Sequence, residues 1–385
     1  MKRKIFFLIL TLSLPGWVIS QENRFTVDLN GQLIGWTNFN FSNGFRNQPG
    51  IRYIPEFMPG YRLADTWKLD ADISLNSYAV TSFGDQSEDP QASVDLYRLW
   101  FRLSSDRYEL RTGLQKINFG SASILRPLMW FDQIDPRDPL QLTTGVYGLL
   151  SRYYFLNNAN LWFWVLYGNE NLRGWDYLPA DPEKPEVGGR VQFPAGPGEL
   201  AFSFHHKTIA GDSLIFPPTG MYMAYEGFAQ ERFAIDGKWD LGIGLWFENS
   251  LKINREFLIP GQKYVNQLTM GMDYTFGLGN GLNLKAEHLF WLTGDDLLDD
   301  PQNINYSALS ANYPITLFDQ VSAIVYYNYE EKKWYRFINL SRQYDDFIFY
   351  LMAYWNPESF DIYKNADDIS LFSGKGFQFM IVFNH

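Results

Sequence analysis

Bulky apolar residues recur at every second position through most of this chain, and the positions between them are mostly polar. The clearest stretch runs from Trp67 to Leu75, where Trp, Leu, Ala, Ile and Leu alternate with Lys, Asp, Asp and Ser. A period of two predicts β-strands with one apolar face. About eighteen such stretches follow one another. The count falls to sixteen if two weaker ones are discounted, at 51–61, which contains Pro55 and Pro59, and at 334–340.

The connections between these stretches also alternate, in length. Those after even-numbered stretches are short, at 104–107, 157–160, 194–198, 277–281, 314–318 and 341–345. Those after odd-numbered stretches are mostly long, at 79–93, 118–145, 168–186, 207–227, 252–264, 293–303 and 356–374. Short turns on one rim and long loops on the other are typical of outer-membrane barrels, with the short turns in the periplasm.

Composition supports a closed sheet in a membrane. Aromatic residues make up 18% of the chain, whereas its mean hydropathy is slightly polar at −0.24. That combination fits strands with one face toward lipid and the other toward water. The chain has no Cys, and no apolar stretch of about 20 residues follows the N-terminal region. We therefore predict an all-β fold, a transmembrane antiparallel up-and-down β-barrel, as one domain over residues 21–385.

The N-terminus predicts export. Lys2, Arg3 and Lys4 precede the apolar run 5–14, and small residues at 18–20 form a signal-peptide cleavage site, so residues 1–20 are assigned to the signal peptide. Without the three basic residues, 29 Lys and Arg face 43 Asp and Glu, a net charge near −14. This acidity excludes nucleic acid as an expected partner. The expected location is the outer membrane of a Gram-negative cell.

The stretch from Gly113 to Gly145 differs from every other connection. It begins as a strand and continues as a long loop that is too apolar and too rich in Pro and Asp for an ordinary surface tether. Its most economical position is folded into the mouth of the barrel. The sequence thus predicts an infolded third loop that narrows a pore.

The strand phase predicts which charged residues face the pore. Five arginines on neighbouring strands are predicted to form a basic inner wall: Arg98, Arg102, Arg111, Arg152 and Arg190. The loop opposite supplies Arg126, Asp132, Asp135, Arg137 and Asp138. A basic wall opposite an acidic loop sets up a transverse field that orients charged solutes. Alternatively, the wall arginines pair with the loop carboxylates and hold the loop down.

Other candidate sites are weaker. His205 and His206 point to opposite faces of one strand, which disfavours a shared metal ion. An acidic loop with Asp295, Asp296, Asp299 and Asp300 lacks the spacing of a known calcium loop. Four tryptophans are predicted to face inward, to line a path for sugars or to fill the lumen: Trp162, Trp164, Trp246 and Trp291. Because no nucleophile motif, zinc motif or nucleotide fingerprint is present, we expect neither catalysis nor a cofactor.

The run GLQKINFG from Gly113, followed by DQIDPRDP up to Pro139, resembles a motif of porin-like barrels and barrel exporters. With the signal peptide, the alternating connections and the terminal strand GKGFQFMIVFNH, the whole mature chain resembles Gram-negative outer-membrane porins. One departure is that Asn384 and His385 follow Phe383, whereas such barrels usually end on an aromatic residue. The resemblance implies outer-membrane lipids, the barrel-assembly machinery and a homo-oligomer as partners.

Two functions remain open from the sequence. The preferred hypothesis is a channel for small hydrophilic solutes, anions among them, that the third loop constricts. The alternative is a plugged barrel whose outer loops bind a partner or a surface glycan. Aromatic residues of those loops would make the contacts, namely Trp175, Tyr177, Phe216, Tyr222 and Tyr225.

Overall fold

The computed structural model describes residues 24–42, 44–85, 89–216, 221–255, 261–296, 301–357 and 372–385, and only the backbone of 212–216 and 221–225. The predicted signal peptide lies outside the described residues. Eighteen long strands run in chain order. They are β1 Phe25–Asn40, β2 Arg46–Arg62, β3 Lys68–Val80, β4 Gln91–Ser104, β5 Tyr108–Gln115, β6 Val146–Tyr154, β7 Asn160–Leu166, β8 Glu186–Ala195, β9 Gly198–Ile209, β10 Phe228–Asp240, β11 Gly244–Asn254, β12 Tyr264–Phe276, β13 Leu282–Gly294, β14 Gln302–Pro314, β15 Asp319–Asn328, β16 Lys333–Tyr344, β17 Phe347–Trp355 and β18 Lys375–Asn384.

These strands close into one antiparallel barrel. Each strand pairs with the next, and β1 pairs with β18, with Gln32 opposite Asn384 and Asn40 opposite Gly376. A two-residue strand, Phe83–Gly84, adds to the edge of β2, and Asp212–Phe216 pairs with Met221–Tyr225 in a separate hairpin. The predicted fold class is confirmed, with eighteen barrel strands. The described residues contain no helix that is long and apolar enough to cross a membrane.

Both strands that the sequence left uncertain are present. β2 is 17 residues long in spite of Pro55 and Pro59. Its ladder to β1 is continuous, whereas its ladder to β3 skips residues 54–55 and 58–59. Proline has no backbone N–H to donate, so each proline interrupts the ladder on one side only.

The two faces of the wall differ sharply in exposure. On β9, Phe202 and Phe204 are 44% and 39% exposed, whereas Ser203 and His205 are 6% and 1% exposed. An apolar outer surface on a closed barrel is the surface that faces lipid in outer-membrane proteins. Tyr97 is an exception to the predicted phase, because the register to β3 shifts at Ser74/Leu75 and leaves Tyr97 unpaired in a bulge. Its ring packs against the buried cluster around Ile34 and Met352, so Tyr97 faces inward, whereas strict alternation along β4 would place it on the outer face.

The connections keep the predicted alternation. The short-turn rim carries the turns at 63–67, 105–107, 155–159, 196–197, 241–243, 277–281, 315–318 and 345–346. The long-loop rim carries 81–90, 116–145, 167–185, 210–227, 255–263, 295–301 and 356–374, together with two short connections at 41–45 and 329–332. Residues 116–145 form the third loop of this rim, and residues 167–185 form the fourth loop.

Candidate functional site

Apolar residues of the third loop pack against the inner face of the wall. Phe119 stacks on Trp164 of β7 with ring centroids 5.7 Å apart, and Phe131 meets the same indole edge-on at 5.4 Å. Trp130 donates its indole N–H to Ser250 Oγ on β11 at 3.1 Å. Phe131 and Trp164 are almost completely buried. The loop thus makes a small core with β7 and β11 on the inner face of the wall.

Two carboxylates of the inner wall accept hydrogen bonds from the backbone of the third loop. Glu248 on β11 accepts the N–H groups of Ala122, at 2.9 Å, and Leu128, at 2.5 Å. Glu287 on β13 accepts the N–H groups of Ser123, Ile124 and Leu125 at 2.8, 3.0 and 2.6 Å. Successive backbone N–H groups form a concave site for an anion. Here the loop supplies the donors and the wall supplies the acceptors.

Gly120 lets the loop approach this closely. Its φ is +108°, and a Cβ atom at this position would lie 2.4 Å from Glu248 Oε2. Any other residue would be strained in its backbone and would clash with the carboxylate. Strand phase alone predicts that Glu248 and Glu287 face inward, but no sequence signal says that loop N–H groups meet them. Sequence reasoning missed both residues.

Inside the third loop, the predicted charged residues pair with each other. Arg126 binds both oxygens of Asp132, at 2.8 and 3.1 Å, and Arg137 binds Asp135 at 2.6 Å. All four side chains are at most 8% exposed. These pairs neutralise two carboxylates in the interior of the loop, Asp132 and Asp135, so these two are not available to the wall arginines.

The wall arginines have partners on the wall itself. Arg102 binds Asp70 through two hydrogen bonds, at 2.7 and 2.8 Å, and Arg190 binds Asp236 on β10. Arg111 and Arg152 share Glu109, at 2.9 and 3.6 Å. Arg98 instead donates to the carbonyl of Thr143 in the third loop at 3.0 Å. The ion pairs of these arginines thus go to Asp70, Glu109 and Asp236 on the wall, and among the described residues only Arg98 of the five hydrogen-bonds to the third loop.

Solvent access divides the arginine wall into two parts. The side chains of Arg102, Arg111 and Arg152 are 29%, 15% and 15% exposed, whereas that of Arg190 is 3% exposed. Arg190 also lies 5.1 Å from the ring of Phe119 in the third loop. The charges nearer the short-turn rim thus stay in contact with water, and Arg190 is covered.

The fourth loop places one carboxylate among three cations of the wall. Asp176 lies 2.8 Å from Lys207 Nζ on β9, 2.7 Å from Arg232 Nη2 on β10 and 3.0 Å from Lys252 Nζ on β11. Burial alone would raise the pKa of Asp176, but these three cations hold it well below its usual range. Next to them Arg173 binds Glu186 at 2.8 Å.

No protein-family model and no curated protein sequence matches this chain. Solved structures do match it over nearly its whole length. OmpF of Salmonella typhi, in complex with daunomycin, is 12% identical, with 93% of this chain and 97% of OmpF aligned at a TM-score of 0.50. OccK5 (OpdH) of Pseudomonas aeruginosa is 8% identical over 93% and 97%, at a TM-score of 0.53. A loop-deletion variant of Vibrio cholerae OmpT is 10% identical over 94% and 100%, at 0.51.

The chain has the fold of outer-membrane porins. Sequence identities this low support a shared fold only, and they do not assign a function to any individual residue. In this porin-fold barrel, the inward tryptophans are used for packing: Trp164 contacts the third loop, and Trp291 meets Trp175 of the fourth loop at 5.3 Å. The prediction that they face inward is confirmed for both.

The two adjacent histidines of the porin-fold barrel do point to opposite faces, as predicted. His205 is buried inside and bonded to Glu186 at 3.0 Å, and His206 lies outside, 4.0 Å from Glu231. Within the described ranges, no group of three metal-ligating side chains could hold a metal ion. Asp299 and Asp300 of the acidic loop lie outside the described residues, as do the side chains of Phe216, Tyr222 and Tyr225.

A serine and a histidine meet on the lipid-facing surface. His288 Nδ1 on β13 lies 2.8 Å from Ser307 Oγ on β14, which lies 3.0 Å from the hydroxyl of Tyr329. No motif in the chain links these residues, because they are brought together only by strand register. In the described part of the chain, no carboxylate hydrogen-bonds to the ring of His288, although the charge of Glu330 acts on it.

One carboxyl of the third loop titrates near neutral pH. The pKa of Asp138 is raised to about 6, chiefly because burial disfavours its charged form, although the N–H groups of Leu140 and Leu142 and the charge of Arg52 oppose the shift. Because the folded-state pKa lies above the ordinary value, this carboxyl stabilises the fold most below about pH 4, and the stabilisation is lost as the pH rises through about 6.

The third loop is accordingly expected to gain one negative charge between about pH 5 and pH 7. In a channel, the preference for anions should fall over that interval, as read from the reversal potential in a salt gradient. The Asp138→Asn variant should lose this pH dependence. If the reversal potential of Asp138→Asn still changes over this pH interval, another group causes the change.

Proposed function

We propose that this porin-fold barrel is an outer-membrane channel for small hydrophilic solutes, with the third loop lying across the lumen as its constriction. The observation that carries the proposal is the docking of the loop backbone onto Glu248 and Glu287 of the inner wall. Below that level Arg102, Arg111 and Arg152 remain in contact with water. Barrels of this strand number leave an aqueous interior.

The long-loop rim faces the exterior in this proposal, and the solutes meet the loops before the arginines. Of the predicted site residues, Arg102, Arg111 and Arg152 face the solutes in the lumen, and Asp138 supplies the loop charge that titrates near pH 6. The buried residues hold the loop in place, namely Arg98 and Arg190 on the wall and Arg126, Asp132, Asp135 and Arg137 within the loop. Lipids of the outer membrane surround the barrel, and the barrel-assembly machinery inserts it. A homo-oligomer is compatible with this arrangement.

A plugged barrel is the second candidate, and one observation favours it. Besides the strands already named, the third loop reaches the opposite side of the wall, where Leu140 and Leu142 pack against the cluster around Ile34 and Met352. A loop held on several sides could close the lumen. The Ser307–His288 pair carries no proposal, because among the described residues its hydrogen bonds are those between the two side chains and with Tyr329.

The reversal potential in a salt gradient tests the channel and its basic wall together. In an Arg98→Ala/Arg102→Ala variant, two positive charges are lost and Asp70 is left without its arginine, so the lumen becomes more negative. We expect the ratio of anion to cation permeability to fall by about twofold or more. Arg342→Ala is the matched control, since this arginine is 63% exposed beside Asp319. An equal shift in the control would contradict the assignment.

A further inference from the structure

The fourth loop covers a basic pocket that contains more positive than negative charge. Four buried cations, Arg173, Lys207, Arg232 and Lys252, surround two buried carboxylates, Asp176 and Glu186. Basic side chains thus outnumber carboxylates by four to two in this group. The nearby Glu231 does not offset them, because it points outward and binds Arg255 at 2.8 Å. Buried charges are costly without partners, so this pocket suits an additional anion.

The pocket lies on rigid strands, whereas its present anion comes from a loop. Strand register places Lys207 opposite Gln230 and Arg232 opposite Lys252, so the three cations that contact Asp176 stand side by side on β9, β10 and β11. Gln230 Oε1 accepts a hydrogen bond from Arg232 Nε at 2.9 Å and fixes the guanidinium. Both oxygens of Asp176 are used, as the oxygens of a bound carboxylate or phosphate would be.

The loop that carries Asp176 is joined to the third loop. Trp175 donates its indole N–H to the carbonyl of Arg126 at 2.6 Å, and Gln133 donates to the carbonyl of Leu172. Gly174, at a φ of +49°, lies so close to Met129 that an added Cβ would fall 1.8 Å from its carbonyl oxygen. Movement of Asp176 out of the pocket would therefore disturb the constriction directly.

We propose that Lys207, Arg232 and Lys252 form a binding site for a small solute oxyanion, a carboxylate or phosphate, in which Asp176 is a tethered competitor that the solute displaces. Displacement frees the fourth loop and, through Trp175 and Gly174, loosens the third loop. The proposal rests on the proposed channel function and adds its substrate class. A tethered group competes at an effective concentration that its linker sets, and a free solute must exceed that concentration to replace it.

Calorimetric titration with inorganic phosphate, on the full barrel refolded in detergent, tests the site independently of conductance. Asp176→Asn removes the competitor while nearly keeping its shape, so it should bind phosphate about tenfold or more tightly than the unaltered protein. Asp181→Asn is the matched control, because Asp181 lies in the same loop, partly exposed, beside Lys184. Its affinity should equal that of the unaltered protein.

Two further variants locate the binding. Adding Lys252→Gln or Arg232→Gln to Asp176→Asn should abolish the gain, and the heat-dependent gel shift of a folded barrel shows that each variant is folded. Failure of folded Asp176→Asn to bind phosphate more tightly would overturn the proposal, and so would an equal gain in Asp181→Asn. If the barrel binds phosphate tightly but conducts no current, the binding site is supported and the proposed channel function is contradicted.

Discussion

A Glu248→Ala/Glu287→Ala variant is expected to pass several times more current per channel than the unaltered protein. Five backbone N–H groups of the third loop, from Ala122 to Leu128, donate to these two carboxylates. Each buried N–H left without an acceptor costs about 1–3 kcal/mol. The loop can avoid this cost by leaving the wall and exposing its backbone to water, and the lumen then widens.

Single-channel recording in a planar bilayer measures this effect. The control is Glu199→Ala, which removes an exposed glutamate bonded to Gln192 near the short-turn rim. The control should conduct as the unaltered protein does. If the double variant is folded but its conductance equals that of the control, the two carboxylates do not hold a constriction.

Removing Arg190 alone is expected to have the largest effect on stability. Arg190 and Asp236 are each 3% exposed and joined by two hydrogen bonds, and Asp236 also accepts the hydroxyl of Ser121 at 3.1 Å. Breaking a buried pair leaves one uncompensated charge, at a cost of about 3–5 kcal/mol in the free energy of unfolding. Urea unfolding of the refolded barrel in lipid vesicles provides the measurement.

A double-variant cycle distinguishes the loss of the ion pair from the cost of leaving one buried charge unpaired. Arg190→Ala/Asp236→Ala should recover a large part of the loss, because no buried charge then remains alone. Arg255→Ala is the control, since this arginine is 65% exposed beside Glu231 and should cost no more than about 1 kcal/mol. Equal losses in Arg190→Ala and in Arg255→Ala would show that the inner pair is not buried in solution.

Most of the fold could be predicted because a barrel wall has a simple period. Alternation gives the face of every residue, and connection length gives the rim, so eighteen strands and their phase followed from the sequence. Local irregularities did not. The bulge at Tyr97 comes from a register shift between β3 and β4, and the tolerance of Pro59 comes from a ladder that needs no N–H at that position.

The sequence predicts the site only to the extent that strand phase tells which face of the wall each side chain is on. Period two placed Arg102 and Arg190 on the inner face but could not name Asp70 and Asp236 as their partners, because partners depend on register between strands. The docking of the third loop onto the wall could not be predicted from the sequence. Glu248 and Glu287 bind backbone N–H groups, which every residue but proline carries, so no side-chain pattern marks the contact.

The single-channel conductance of the refolded protein, without substitutions, tests the proposed channel most directly. We expect stable conducting steps in a planar bilayer, with a reversal potential that shifts toward cations as the pH rises from about 5 to 7. A folded, heat-modifiable barrel that conducts no current would contradict the channel and support the plugged barrel in its place.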